Sequence, residues 1–192
     1  MQQPPQAQQL RYYQCPLIQG YITDIAIGRD APQKPVDHAW HNILAHYFRT
    51  PSYTVEREAY LDDPRISKEA ANVSVVNTRN NGAHEVIVVE AKKPTKRAPT
   101  DHKWDGVRQQ LQDNMLKFRN RLGNVQTMYG VAAVGSRARF YVLLMNQNVL
   151  VSDTEDGFFA NDEVLDLCHD EQRIHDMLIA KRGKINNLQN NY

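Results

Sequence analysis

Four consecutive apolar residues, Val86-Ile87-Val88-Val89, all β-branched, run straight into Glu90-Ala91-Lys92-Lys93 and then Pro94. A strand with one wet face alternates apolar and polar residues, whereas an unbroken β-branched run reads as a central strand buried on both faces. Just upstream stands Asn80-Asn81-Gly82, and Asn-Gly accepts the positive φ angles of a tight hairpin turn. The segment before it, Asn72 to Thr78, puts Val73 and Val75 on one face and Ser74 and Val76 on the other. Antiparallel partners meet start to end, so the hairpin brings Asn72 beside the end of the strand that carries Glu90.

Other elements follow from periodicity and punctuation. Val36, Ala39, Trp40, Ile43, Leu44, Tyr47 and Phe48 recur at three and four residues and predict a helix over 36–49, opened by Pro35 and closed by Pro51. Tyr53 to Leu61 reads as a strand, ended by the turn Asp62-Asp63-Pro64. Trp104, Val107, Leu111, Met115 and Phe118 form the buried stripe of a long helix over 102–122, with Gly123 as its C-terminal cap. Strands are expected over 127–134 and 138–145, turning at Gly135-Ser136, with a short one near Val149 and a last helix over 163–182. Residues 11–34 show no clear period, and Tyr21 to Ile27 reads as a short extended piece. The expected fold class is α/β (α+β): a central mixed β-sheet flanked by α-helices, with the long helix as a crossover between two strands.

The 192 residues suffice for one domain, placed over 11–192 with a core at about 35–145. Residues 1–10 are rich in Gln and Pro and read as a disordered tail. They lack an apolar stretch of the kind a secretory signal needs, and no run of eighteen apolar residues exists. The expectation is an intracellular protein, in cytoplasm or nucleus, with no membrane span; a mature secreted form stays open. Cys15 and Cys168 read as two reduced thiols, with a disulfide joining the chain ends as the minority reading. No Cys/His cluster has zinc spacing.

Chemistry concentrates at Glu90-Ala91-Lys92. Residues two apart on a strand share a face, so Glu90 and Lys92 emerge side by side. A carboxylate there suits Mg²⁺, a hard cation that takes oxygen ligands. The neighbouring ammonium suits positioning a water or stabilising charge that develops on a phosphate.

The segment Val86 to Lys92, within this order of helix, strand, hairpin, helix and strand, resembles the PD-(D/E)XK nuclease superfamily. The resemblance spans roughly 35–145 and implies a restriction-endonuclease-like fold and a Mg²⁺- or Mn²⁺-dependent nuclease that hydrolyses phosphodiester bonds. It assigns Glu90 to metal binding, Lys92 to catalysis and the Ala91 carbonyl to a further metal ligand. The superfamily's first acid falls at Asn72, which offers an amide oxygen without charge. Asp63 (or its neighbour Asp62) and Glu58 are the candidates for the missing carboxylate, and Asp37 stands at the start of the first helix. Some exonuclease-like members carry Gln-x-x-x-Tyr on the helix after the Glu-x-Lys strand. Here Gln110 begins that pattern, with Asn114 in place of Tyr, and a role near metal or phosphate follows for Gln110. The departure at Asn72 motivates the alternative, a catalytically degenerate domain that binds nucleic acid or protein as a module or effector.

The net charge of +1 hides an asymmetry. Residues 90–121 hold nine Lys and Arg against four acids, whereas 153–176 hold nine acids and one Arg. Lys93, Lys96, Arg97, Lys103 and Arg108, with Arg137 and Arg139 at a nearby turn, are the candidate contacts to a nucleic-acid backbone, DNA or RNA. The acidic segment, expected as an acidic C-terminal helix, is the candidate surface for a homodimer or a protein partner. His38 and His41, three apart on the first helix, and the two tryptophans read as packing residues.

Overall fold

The computed structural model describes residues 10–49, 51–60, 70–79, 82–121, 126–153 and 163–189. The tail apart from Leu10, the turns at Asp62-Asp63 and Asn80-Asn81, and Gly123 lie outside that set.

After a single turn at Tyr12–Gln14 come α1 (Pro16–Asp24), α2 (Lys34–Tyr47), β1 (Tyr53–Tyr60), β2 (Ala70–Arg79) and β3 (Gly82–Lys92). Then follow α3 (Asp101–Arg121), β4 (Met128–Val134), β5 (Arg137–Leu143), the two-residue strands β6 (Val151–Ser152) and β7 (Leu165–Asp166), and α4 (Glu171–Gln189). The sheet order is β1-β2-β3-β4-β5-β6, with β7 also pairing β5. β3 and β4 run parallel and every other pair is antiparallel, so the sheet is mixed and α3 is the crossover.

Helices cover both faces. Trp104, Val107, Leu111, Met115 and Phe118 of α3 pack with Val88, Ala132, Tyr141 and Leu143 on one side. On the other, α1, α2 and α4 bury Ile22, Trp40, Leu44 and Leu178 against Val73, Ile87, Val89, Val131 and Phe140. Burial on both faces explains why β3 carries no alternation. β4 is small at Gly130 and Ala132, where α3 lies close over it: a Cβ on Gly130 would meet Leu111 and Met115 at 2.9 Å.

β2 and β3 pair antiparallel as expected, and Arg79 pairs with Gly82, which places Gly82 in the ladder. The register shifts between Val75, opposite Ile87, and Val76, opposite Glu85, leaving Val86 as an extra residue on β3. Such a bulge reverses strand parity, so Glu85 and Glu90, five apart, both reach α3.

Two regions differ from expectation. Residues 16–24 form a helix rather than an extended piece. Pro16 sits in its first turn, and Ile18, Ile22 and Ile25 are buried at helical spacing, a pattern masked by Gly20 and the surrounding prolines. The last helix starts at Glu171, not near 163: the Ile174 N–H donates to the Asp170 carbonyl, while the Asp170 side chain accepts the Asp166 N–H and so holds the turn that precedes the helix. The acids therefore lie mostly before α4. The helix itself carries Arg173, Lys181, Arg182 and Lys184 against Glu171 and Asp176, so it is not the acidic helix expected.

Two buried cations tie the layers. Arg119 of α3 donates to the carbonyls of Leu143 and Leu144 at 3.2 and 3.1 Å. Lys181 of α4 pairs with Asp153 at 2.6 Å, with both side chains under a tenth exposed, and its ammonium lies 5.5 Å from the Tyr129 and Phe140 rings. Cys15 and Cys168 are free thiols. Among the described residues no helix is long and apolar enough to cross a membrane.

Candidate functional site

The ladder between β2 and β3 ends at Val73 and Val89. Beyond it Asn72 bridges the strands with its side chain, Oδ1 accepting the Ala91 N–H at 2.7 Å. A residue's N–H and C=O project to the same edge of a strand, so the Ala91 carbonyl faces this gap too. The Asn72 oxygen thus serves as a structural bridge at the position where an acid was expected.

Glu90 and Lys92 lie on the α3 side of this strand end. Lys92 Nζ donates to Glu90 Oε1 and to Gln110 Oε1, each at 2.7 Å. Asn114 Nδ2 donates to Glu90 Oε2 at 2.9 Å. Gln110 and Asn114 are four apart and therefore neighbours on one helix face, which lets α3 reach both members of the pair. Glu90 is 1% exposed, whereas Gln110 is on the surface and a quarter of the Lys92 side chain meets solvent. The geometry is a buried carboxylate behind a reachable ammonium. Burial pushes the Glu90 carboxyl above its usual range; Lys92 and Asn114 draw it back, and the charge on Asp37 adds to the rise.

Asp37, in the first turn of α2, is the acid whose place in the site the sequence only hinted at. It is 8% exposed and its Oδ1 is buried without a hydrogen-bond partner. Its carboxyl is raised to about 6, chiefly by burial, with Glu58 adding to the rise and Arg57, Gln33 and Lys92 opposing it. A carboxyl raised by burial costs stability once ionised: the cost is absent below the unfolded pKa near 4, grows between there and 6, and is complete at neutral pH. Asp37→Asn is therefore expected to stabilise the fold at pH 7 by about 1–3 kcal/mol and to change little at pH 4. Urea unfolding at the two pH values checks this, and an equal effect at both would contradict it.

Glu58 is exposed on β1 and carries a positive φ of 52°, unusual for a residue other than glycine. Asp63 lies outside the described residues. Among the described residues no group of three or more His, Cys, Asp or Glu side chains is placed to hold a metal ion.

Of the basic residues, Lys93, Lys96 and Arg97 are exposed just past β3, and Lys103 is half-buried. Arg108 and Arg139 serve the fold instead. Arg108 donates to the Leu150 carbonyl at 2.8 Å and lies over the Tyr141 ring. Arg139 lies 4.8 Å from the Trp104 ring centre and pairs with Asp101 at 3.5 Å. Arg137 lines a cleft beside the β4–β5 turn. His38 stacks on Tyr21, and burial together with Arg57 holds both His38 and His41 below the usual imidazole range.

Comparisons with protein-family models, with curated proteins and with solved structures each returned no match.

Proposed function

We propose that this protein is a metal-dependent nuclease of the PD-(D/E)XK, restriction-endonuclease-like type, hydrolysing phosphodiester bonds of nucleic acid. The observation that carries the reading is the Lys92 ammonium held 2.7 Å from both Glu90 and Gln110 at the end of the central strand. The order α2, β1, β2, β3, α3, β4, with β3 and β4 parallel, supports it.

The donors suit Mg²⁺ or Mn²⁺. Mg²⁺ is commonly held by one or two carboxylates, with water and substrate phosphate completing its shell. Glu90 uses two of its four lone-pair positions, and Asp37, whose Oδ1 is buried without a partner and whose charge acts on Glu90, is the candidate second carboxylate. Glu90 and the Ala91 carbonyl would hold the cation, with Asp37 completing the set if its side chain reaches around the strand end. When bound, it neutralises charge on the phosphate oxygens. Lys92 orients the attacking water or takes up charge building on the phosphate, Gln110 fixes the ammonium, and Asn114 fixes Glu90. Lys93, Lys96 and Arg97 supply a cationic approach for the phosphate backbone.

One observation favours the second reading, a binding module that has lost catalysis: the amide of Asn72 occupies the expected acid position and is engaged with Ala91. Single- and double-stranded DNA and RNA incubated with Mg²⁺ or Mn²⁺ separate the readings. Cleavage by the wild-type chain that disappears in Lys92→Ala supports the enzyme. Nucleic-acid binding without cleavage, and without saturable Mn²⁺ uptake sensitive to Glu90→Gln, supports the module.

A further inference from the structure

A second cleft, of about 530 Å³, lies between α1, the β4–β5 turn and the segment around β7. That volume falls within the roughly 300–1,000 Å³ typical of small-molecule sites. Ile22, Ala26 and Ile27 give it an apolar wall, and Tyr13, Arg137 and His169 bring polar groups to it.

The polar groups are unevenly engaged. Asp166, across the ladder from Arg137, turns its carboxylate elsewhere. Its Oδ2 accepts from Ser136 Oγ at 2.9 Å, and its Oδ1 accepts from the Cys168 and His169 backbone N–H groups and from the His169 ring. Those contacts saturate Oδ1, leave Oδ2 with one donor, and hold its carboxyl below the usual range, against the effect of burial. Arg137 is left, among the described residues, with no hydrogen-bond or ion-pair partner. Tyr13 accepts the Cys168 thiol proton at 3.1 Å, so its own O–H is free to donate. The turn that aims Arg137 is firmly set: Gly135 has φ +58, its N–H donates to the Lys92 carbonyl, and the Ser136 N–H donates to that of Ile25.

We propose that this cleft binds a small amphipathic anion, a phosphate or carboxylate group carried on an apolar body. The guanidinium forks onto the anionic oxygens, the Tyr13 hydroxyl donates a further hydrogen bond, and the apolar body covers Ile22, Ala26 and Ile27. The cleft lining shares no residue with the Glu90–Lys92 centre, so the proposal stands whether or not that centre cleaves nucleic acid.

The test is amide-resolved NMR titration of the full chain with phenyl phosphate, benzoate, phenol and inorganic phosphate. Saturable shifts at Ser136, Arg137, Cys168 and His169 are expected with phenyl phosphate or benzoate, and whichever binds more tightly identifies the anionic group. Phenol, lacking the charge, and inorganic phosphate, lacking the apolar body, should each bind at least about 10-fold more weakly. Arg137→Gln should weaken binding by about 10-fold or more, and Tyr13→Phe by a smaller factor, in variants whose spectra show an intact fold. Binding unchanged in Arg137→Gln, equal binding of phenol, or no saturable shift up to about 10 mM of either organic anion overturns the proposal.

Discussion

Lys181→Ala is expected to cost about 3–5 kcal/mol of stability, a large share of what a domain of this size holds. The reason is the partner left behind. Asp153 has a side chain only 7% exposed and gives its backbone N–H to the Phe140 carbonyl, so it cannot swing out to water without disturbing the sheet edge. Removing the ammonium strands that charge, and the Tyr129 and Phe140 rings lose the cation beside them. Replacing both partners tells the two costs apart. Lys181→Met with Asp153→Leu removes both desolvation penalties and should recover most of the loss, because apolar replacement of a buried pair is often neutral or stabilising. Urea denaturation of the single and double variants measures the difference. A single variant within about 1 kcal/mol of wild type would mean that the pair is hydrated in solution.

The other large effect concerns chemistry. On the nuclease reading, Lys92→Ala should lower the cleavage rate by about 10²–10³-fold or more, the range seen when one preorganised charged donor is lost. Lys92→Arg is the sharper variant. It keeps the positive charge next to Glu90, so the fold should hold. Its planar fork cannot reproduce an ammonium that contacts Glu90 and Gln110 at 2.7 Å together, so the rate should still fall substantially. Gln110→Ala should cost less, about 10-fold, since it removes only a support for the ammonium. Single-turnover cleavage with thermal unfolding in parallel separates rate from stability. A Lys92→Arg variant as active as wild type would reduce the role of Lys92 to charge alone.

Much of this architecture can be read from local pattern. The apolar run at Val86–Val89 marks the central strand because nothing but burial on both faces tolerates it. The stripes on α2 and α3 are visible because each helix meets the sheet along one side. Local pattern fails where structure depends on distant partners. α1 hides behind Gly20 and flanking prolines, and its helix is held by burial of Ile18, Ile22 and Ile25 in a core assembled from remote segments. β7 is two residues long and exists through its pairing with β5. In the site, Glu90, Lys92 and Gln110 share spacings that the sequence displays, and the structure brings them into contact. Asn114 was visible as the fourth residue after Gln110, but not its hold on Glu90. The influence of Asp37 on that carboxylate needs the packing of α2 against the sheet, which no spacing announces. Arg108 and Arg139 look like surface cations in the sequence, and only the positions of Tyr141 and Trp104 show that Arg108 is half-buried and Arg139 buried against aromatic rings.

The extra residue at Val86 has a mechanical corollary. Because both carboxylates of β3 open toward α3, the helix is moored to one strand at two points, by Asn114 on Glu90 and by Arg121 on Glu85 at 2.5 Å. A helix sliding along a sheet moves in steps of a turn, about 5.4 Å, and any such step would break both moorings together. Alignment of Gln110 over Lys92 is therefore set partly by a contact at the far end of the strand. Loosening that distant anchor would let the helix drift and blur the alignment without altering a single residue beside it.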